Sequence, residues 1–558
     1  MQTPFFHIEI PTQAQDHKIL ANILPGADSL AVSEIAAQFN GLTVVVTNDT
    51  RSAVRLEKEL AQLSPLNVTF FPDWETLPYD SFSPHQDIIS ARLSALFHLQ
   101  QRKQGIFILP IATLMQRVCP PSYLQHRVLL INKGDRFVIE TLRLQLEKSG
   151  YRAVEQVLEH GEYAVRGALL DLFPMGSAVP FRLDFFDDEI DSIRTFDVDT
   201  QRTLQEIDQI NLLPAHEFPT DNQGIEFFRS QFRAAFGEIR RDPEHIYQQI
   251  SKGTLAAGIE YWQPLFFEEM ATLFDYFPEN TLFITGEQNQ MQGERFYADA
   301  EQRFESRRVD PMRPLLSPDK LWLRIDEVNR QLKNYPAIAL KTEKVRSSAR
   351  QKNLAITPLP PLTIQSQQKE PLHQLRQFIE HFKGNILFIV ETEGRRETLL
   401  SLLAPLKLKP KQIHSLAQAT EEKLALMVSP LEHGFIIEQD VPLAIICESE
   451  LLGERVQQRQ RDKSRTVNPD TLIRNLAELQ IGQPVVHLDH GVGRYGGLVS
   501  LENGGIKAEY LLLNYANDSK LYVPVASLHL ISRYVGGADE TAPLHKLGYK
   551  QSVGNLRP

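Results

Sequence analysis

Short apolar runs that alternate with amphipathic helices constrain the fold of this chain more than any other feature. Leu42–Val46 is such a run, and Ala53–Leu60 behind it repeats leucine at i and i+4, as one face of a helix does. Val68–Phe71 and Ile106–Leu109 are further runs, each followed by a proline. Strands separated by helices pair in parallel, because each helix carries the chain back to the start of the sheet. The sequence therefore predicts an α/β body with a mostly parallel sheet.

The pattern changes between residues 128 and 213, where short strands with turn residues between them predict an α+β insert with an antiparallel sheet. One helix is expected at Glu140–Lys148, ended by Gly150. Helical patterns return at Phe227–Ile239 and Pro243–Lys252, before a strand at Thr281–Ile284. We interpret residues 1 to about 335 as one α/β body that the insert interrupts. The strands predicted in the insert are Arg136–Ile139, Ala168–Phe173, Phe181–Phe186 and Ser192–Phe196.

Two hydrophilic stretches divide the rest of the chain. The stretch Lys341–Pro371 has prolines among Lys, Arg, Ser and Gln, which cannot fill a core, and the second stretch covers Val456–Asp470. We interpret both as linkers. The segment between them is predicted to be a small α/β domain from its strand, helix and strand patterns at Ile386–Val390, Arg395–Leu403 and Leu443–Cys447.

The last part of the chain predicts a small SH3-like β-barrel, because five short strands recur at roughly ten-residue spacing with glycines between them. These strands are Val485–Leu488, Gly497–Leu501, Ala508–Leu513, Leu521–Pro524 and Leu528–Ile531. The predicted division is an α/β multidomain protein with its body at 1–127 and 214–335, the insert at 128–213, a linker at 336–374, the small α/β domain at 375–455, a linker at 456–478 and the barrel at 479–547.

Composition limits the class of protein. The 558 residues carry 59 Lys+Arg and 70 Asp+Glu, a net charge of −11, which argues against a chain-wide cationic nucleic-acid sleeve. Two cysteines far apart exclude a disulfide framework. No apolar run reaches the roughly 18 to 20 residues that span a bilayer, and the start lacks signal-peptide character. We expect a cytoplasmic protein without a membrane partner. The end, LGYKQSVGNLRP, lacks an obvious structural close, which suggests part of a longer protein.

Four motifs suggest chemistry, but their context argues against each. The run Gly491–Gly496 fits G-x-G-x-x-G, yet a strand rather than a helix follows, so we interpret it as a turn. Asp188–Asp191 resembles a helicase D-E-x-D box, but the sequence has no phosphate loop of the form G-x-x-x-x-G-K-[ST]. His487 and His490 beside a Gly turn are more typical of surface hydrogen bonding than of a metal site. Cys119 lacks a neighbour that would lower its thiol pKa. We expect no catalytic residues, no metal and no cofactor.

Two features suggest protein partners instead. Phe181–Phe186 alternates so that Arg182 and Phe186 share the polar face, and Arg and aromatic residues are enriched in interface hot spots. An exposed Phe186 over solvated arginine stems is the alternative. In the barrel, Leu501 precedes the turn Glu502–Gly505, so it lies at a hairpin tip on a strand whose edge could pair with a partner. The alternative is a Leu501 that folds back over the barrel end.

Several motifs resemble the N-terminal half of the bacterial transcription–repair coupling factor family. The resemblance covers nearly the whole chain except the 340–370 stretch and the last ten residues. It implies a body similar to UvrB, the excision-repair helicase, with a degenerate RecA-like nucleotide site where Pro25–Ser29 lies. The motifs are Asp73–Asp80, His85–Asp87, Gly161–Gly167, Phe185–Ile190, Asp310–Pro314, His487–Tyr495 and Lys520–Pro524.

The resemblance also implies partners and sites. The insert resembles the UvrB domain that docks on UvrA, with family interface positions at Arg166, Arg182 and Phe186. The barrel resembles the CarD-like domain that binds the RNA polymerase β subunit, with its apolar contact at Leu501. The ATP- and Mg-dependent DNA translocase of full-length members is absent from this sequence, so we expect a non-enzymatic adaptor in transcription-coupled nucleotide excision repair that touches DNA weakly at most. A UvrB-like helicase and a CarD-like transcription regulator are the alternatives.

Overall fold

A seven-stranded sheet, parallel throughout, forms the centre of the body. Its strands lie in the order Gln351–Asn353 (β15), His17–Ala21 (β1), Ala337–Leu340 (β14), Thr281–Thr285 (β13), Leu42–Thr47 (β2), Gly105–Pro110 (β4) and Val68–Phe70 (β3). Strand Leu42–Thr47 is buried at every residue because helices cover both faces of the sheet. The structure, a computed structural model, describes residues 5–237, 241–364, 370–452, 481–487, 491–503, 506–516, 519–524 and 531–533. The elements before the insert are β1 (His17–Ala21), α1 (Ala27–Gln38), β2 (Leu42–Thr47), α2 (Thr50–Leu63), β3 (Val68–Phe70), α3 (Gln86–Gln101), β4 (Gly105–Pro110), α4 (Ile111–Leu114) and α5 (Pro121–Gln125).

The insert is built on a six-stranded sheet of order β11-β10-β9-β8-β7-β6, antiparallel except for the pair β6–β7. A two-stranded ribbon, β5 with β12, joins it to the body. The predicted antiparallel insert is thus observed, as is the helix ended by Gly150, whose φ of +88° suits glycine. The elements are β5 (Leu129–Asn132), α6 (Ile139–Lys148), β6 (Arg152–Ala153), β7 (Glu162–Arg166), β8 (Leu169–Leu172), β9 (Phe181–Phe186), β10 (Glu189–Phe196), β11 (Thr203–Ile207) and β12 (Gln209–Leu212).

The chain then returns to the body and completes its sheet. None of the described helices is long and apolar enough to cross a membrane. The predicted helix at Phe227–Ile239 is observed as α7, and Ile239 lies outside the described residues. The elements are α7 (Asn222–Phe236), α8 (Ile246–Ser251), a 3-10 helix at Ile259–Phe266 and another at Leu273–Asp275, β13 (Thr281–Thr285), α9 (Asn289–Arg307), α10 (Pro318–Leu321), α11 (Ile325–Leu332), β14 (Ala337–Leu340) and β15 (Gln351–Asn353).

The small α/β domain has a mixed six-stranded sheet of order β16-β20-β21-β17-β19-β18, with four parallel strands at its centre and one edge. It shares one continuous hydrophobic core with the body, where Leu20 and Leu30 belong to the same cluster as Leu387 and Ile445. The elements are β16 (Ile356–Thr357), α12 (His373–His381), β17 (Asn385–Val390), α13 (Glu393–Leu403), β18 (Lys411–Gln412), β19 (Leu424–Val428), β20 (Phe435–Ile437), β21 (Leu443–Cys447) and α14 (Glu448–Leu452), with 3-10 helices at Ala404–Leu406 and Leu416–Thr420.

A second unit, residues 454–558 with 75–77, is separate from the first, which comprises residues 1–74 and 78–453. Its described part is a five-stranded antiparallel sheet of order β25-β24-β23-β22-β26 around Val485, Leu511 and Leu513. The predicted turn at Gly491–Gly496 is wrong, because these residues lie inside a strand that pairs with β22 and then β24. The strands are β22 (Pro484–His487), β23 (Gly491–Asn503), β24 (Ile506–Asn514), β25 (Lys520–Pro524) and β26 (Ile531–Arg533).

Two further predictions are wrong. Arg136–Ile139 is not a strand: Ile139 begins α6, because Leu142 and Leu146 give the following residues a buried helical stripe. The predicted linker at 336–374 instead contains β14, β15 and β16, each hydrogen-bonded to a neighbouring strand. The polar sequence misled at β15 and β16, because both are edge strands, which are stabilised by backbone hydrogen bonds and need few apolar side chains, whereas β14 is an apolar interior strand. The predicted linker at 456–478 lies outside the described residues, as do residues 534–547 of the predicted barrel.

Candidate functional site: two protein-docking surfaces

The outer face of the insert sheet carries three of the predicted site residues. Strand β9 alternates as predicted: Phe181, Leu183 and Phe185 are buried, whereas Arg182 and Phe186 lie on the opposite face. Register continues this face onto the neighbouring strands, because β8 places Asp171 directly opposite Arg182 and β7 places Arg166 opposite Leu169. The sheet therefore brings Arg166, Arg182 and Phe186 onto one surface, although they lie up to twenty positions apart in sequence.

Asp171 forms ion pairs with both arginines. Arg182 donates from Nε to Oδ1 of Asp171 at 2.7 Å and from Nη2 to Oδ2 at 2.9 Å, a bidentate pair. Nη2 of Arg166 lies 3.5 Å from the same Oδ2. The side chain of Asp171 is only 3% exposed, so the shared carboxylate is a buried anion that two cations neutralise. The hydrogen bond to Asp171 also raises the pKa of Arg182 above its usual value.

The two arginines differ in what they offer to a partner. The side chain of Arg182 is 18% exposed, and its guanidinium carbon lies 5.0 Å from the ring centroid of Phe196. The side chain of Arg166 is 49% exposed, and among the described residues its ion pair is the longer contact with Asp171. Arg182 therefore mainly stabilises the sheet and exposes only one edge of its side chain to solvent. Arg166 is the more accessible of the two cations. Sequence reasoning missed Asp171, although a lone carboxylate inside the apolar strand Leu169–Leu172 indicates a buried cation partner.

Phe186 is the most exposed large apolar side chain among the described residues, at 80%. It ends β9 opposite Glu189, and the turn after it begins at Asp187, whose φ of +61° lies in the left-handed region. A phenyl ring in this position cannot fold into the insert core, because Phe185 beside it already points inward. This exposure agrees both with a docking role and with the alternative of an exposed Phe186 over solvated arginine stems.

The second candidate surface lies on the β23–β24 hairpin. Leu501 pairs with Ala508, two rungs before the end of the ladder at Asn503 and Ile506, so its backbone lies close to the hairpin tip. The side chain of Leu501 lies outside the described part of the structure. The extended hairpin agrees with the two strands expected on either side of Glu502–Gly505.

The turn at Gly26, where the resemblance implies a nucleotide site, has a strand before it and helix α1 after it. Gly26 has a φ of +82°, and a Cβ at this residue would lie 2.3 Å from the carbonyl oxygen of His433 in the small α/β domain. Beside it, Arg55 pairs with Asp28 and, at 2.7 Å, with Glu59. Burial is the largest influence on the carboxyl group of Glu59 and raises its pKa to about 7. The main chain at His433 thus lies directly against the turn before α1.

Three family models match the chain. The model described as the UvrB interaction domain matches residues 129–218, the MFD D3 domain matches residues 378–451, and the CarD-like/TRCF RID domain matches residues 479–535. The first therefore covers the sheet that carries Arg166, Arg182 and Phe186, and the last covers the hairpin that carries Leu501.

Sequence similarity to known proteins extends over nearly the whole of this chain. The chain is 78% identical over 98% of its length to a transcription-repair-coupling factor of Haemophilus influenzae, of which it covers 48%. It is 58% identical over 97% of its length to that of Escherichia coli, covering 47%, and 27% identical over 95% to that of Bacillus subtilis, covering 46%. The chain spans about half the length of the curated relatives it matches.

Proposed function

We propose that this chain, a homologue of the transcription-repair-coupling factors over nearly its whole length, is an adaptor that joins a stalled RNA polymerase to the excision-repair machinery. The observation that carries the proposal is that an exposed Phe186 and an accessible Arg166 lie on the same face of the sheet that matches the UvrB interaction domain. A rigid sheet face with one aromatic and one cation has the composition of an interface hot spot. Such a role would be carried out in the bacterial cytoplasm.

In this proposal UvrA binds the outer face of the insert. Phe186 supplies an apolar anchor, Arg166 supplies a charge that a carboxylate of UvrA pairs with, and Arg182 contributes its exposed edge while Asp171 holds it in place. The hydrogen bonds to the buried Asp171 keep the side chain of Arg182 in one conformation, so less entropy is lost when Arg182 binds a partner.

The test is UvrA binding by isothermal titration. Arg166→Glu and Phe186→Ala should each weaken binding at least tenfold, because each removes a central contact. Leu144→Ala and Lys148→Glu are matched controls, since both residues are exposed on α6 of the same insert and away from the proposed face. Wild-type affinity in both Arg166→Glu and Phe186→Ala would refute the proposed UvrA surface.

We propose that the SH3-like, CarD-type barrel of the second unit binds the RNA polymerase β subunit through the β23–β24 hairpin, with Leu501 as its apolar contact. Support comes from the match to the CarD-like/TRCF RID domain and from the position of Leu501 near the hairpin end. Leu501→Arg should remove polymerase from a pull-down and leave UvrA binding intact, whereas Arg166→Glu should do the reverse. Because both surfaces belong to one chain, each partner raises the local concentration of the other. Polymerase binding without UvrA binding would favour a CarD-like transcription regulator.

We further propose that the UvrB-like body is a degenerate RecA-like domain that binds no nucleotide and has no catalytic residues, cofactor or metal. A phosphate loop needs glycines, a lysine and free backbone N–H groups, but the sequence has no such loop and His433 lies against Gly26. An ATP titration and a phosphate-release assay should both be negative. Micromolar ATP affinity would refute this part and favour a UvrB-like helicase.

A further inference from the structure

A basic crossover at the edge of the body sheet has no role in the proposed function. The segment Lys341–Lys352 reads KTEKVRSSARQK, with five cations and one acid in a chain of net charge −11. It leaves β14 and enters β15, and these two strands are parallel neighbours of β1 on opposite sides. The segment therefore crosses from one side of β1 to the other without a helix.

The backbone of the crossover is fixed at several points. Lys341 O accepts from Ile23 N at 3.0 Å, and Arg350 O accepts from Ile19 N at 2.8 Å, so both ends are hydrogen-bonded to the body. In the middle, the side chain of Asn353 accepts from Val345 N at 2.9 Å and donates to Val345 O at 2.7 Å. The segment is thus an ordered loop and not the flexible linker that its composition predicts.

Three of the five cations on this fixed loop are unpaired within the described residues, whereas Lys341 lies near Glu287 and Lys352 near Glu9. Lys344, Arg346 and Arg350 are exposed, and within the described part of the chain none of them forms an ion pair. Of the nearby carboxylates, Glu287 accepts from Thr342 and Glu9 pairs with Lys18 at 3.0 Å, and Glu343, the one acid of the segment, forms no ion pair within the described residues. Like charges held together on an ordered loop repel one another, so their arrangement costs stability unless an anion compensates.

We propose that the crossover is a contact site for the phosphate backbone of duplex DNA; the inference rests on the proposed function only in that the adaptor works on transcribed DNA. Cations repeated along a fixed loop suit a polymer with regularly repeated charge, and such binding gains its free energy from counterion release. The segment has no aromatic residue for base stacking, so the contact carries no sequence preference.

The test is fluorescence anisotropy of a labelled 40-base-pair duplex, titrated with the full chain between roughly 50 and 200 mM KCl. The variant Lys344→Gln/Arg346→Gln/Arg350→Gln removes the three unpaired cations. A control variant, Lys383→Gln/Lys407→Gln/Lys409→Gln, removes three exposed cations from the small α/β domain and so changes the net charge equally. Neither set removes an ion pair within the described residues, so neither variant should melt below the wild type.

The expected result is weak wild-type binding and, in the crossover variant, a loss of at least tenfold near 100 mM salt. The slope of log K against log salt should fall by about 2.7, or 0.9 for each phosphate contact, whereas the control keeps the wild-type slope. No duplex binding by the wild type at 50 mM salt, or equal losses in both variants, would overturn the proposal. UvrA and polymerase binding, measured on the same crossover variant, should be unchanged; failure of those assays in the wild type instead refutes the adaptor role and leaves the DNA result standing.

Discussion

Replacing Arg182 should mainly lower the folding stability of the insert, because most of this side chain is buried against Asp171 and Phe196. The variant Arg182→Met removes both short hydrogen bonds to Asp171 and leaves a 3%-exposed carboxylate with only Arg166, at 3.5 Å. Removing one partner of a buried ion pair costs about 3 to 5 kcal/mol, because a charge stays buried without compensation. We expect the lower end, about 3 kcal/mol, because Arg166 remains and Arg182 was 18% exposed.

Hydrogen exchange measures this loss where it occurs. Amides of β8 and β9 that exchange through opening of the insert sheet should exchange about 150-fold faster in Arg182→Met, since each 1.4 kcal/mol is a factor of about ten. Arg166→Met removes only a half-exposed, longer pair and should change the same amides by less than about threefold. UvrA affinity should fall in both variants.

A double variant distinguishes the buried charge from other causes. In Asp171→Leu/Arg182→Met both charges are absent, so most of the lost protection should return, as it does when buried ion pairs are replaced by apolar side chains. Equal protection of β8 and β9 in Arg182→Met and in the wild type would refute the reasoning, and it would make Arg182 a surface residue like Arg166. Failure of the double variant to recover would show that packing on Phe196 and not the charge of Asp171 stabilises the strand.

Three further predictions follow from single contacts. Phe186→Ala should leave the melting temperature within about 1 °C, because the ring is exposed, and lower UvrA affinity at least tenfold in the titration. Burial raises the pKa of Glu260 to about 7, so the folded state holds this proton more tightly than the unfolded state; stability should fall as the pH rises from about 4.5 to 7, and Glu260→Gln should flatten that part of a denaturant-melt pH series. Gly26→Ala should cost about 1 to 3 kcal/mol in the same melts, because its Cβ would collide with the His433 carbonyl and its φ is positive; an unchanged midpoint would contradict the observed contact.

The local sequence pattern was sufficient to predict an element and its buried face where only one face of that element is buried. The strand Phe181–Phe186 was predicted residue for residue, because alternation fixes which side chains face the core. The same reasoning placed Arg182 and Phe186 on one face but gave no information on Asp171, since its distance from Arg182 depends on the pairing of β8 with β9. Register between strands follows from the whole sheet, so the buried carboxylate could be inferred only as a lone anion in an apolar strand.

Composition misled where backbone hydrogen bonds decide the structure. Gln351–Asn353 has three polar residues and still forms an edge strand beside β1, and the crossover before it is held by Asn353 and main-chain bonds. No hydrophobic pattern marks such a segment. Pattern alone suggested protein contacts at Arg182, Phe186 and Leu501, whereas their named partners and the position of Arg166 in the interface came from resemblance to a family. These roles stay predictions until the binding assays are done.

The turn at Gly26 shows why restoring a lysine there should not restore nucleotide binding. We expect two obstacles there: the main chain at His433, which a Cβ at Gly26 would meet at 2.3 Å, and the pairing of Arg55 with Asp28 and Glu59, which leaves that cation unavailable to a phosphate. A triphosphate would have to displace the small α/β domain, which shares a core with the body, and would then find Arg55 already paired with two acidic side chains. Both costs act on the same ligand, so a lysine introduced at Ala27 should still give no measurable ATP binding. Only a variant that also separates the two domains would open the site.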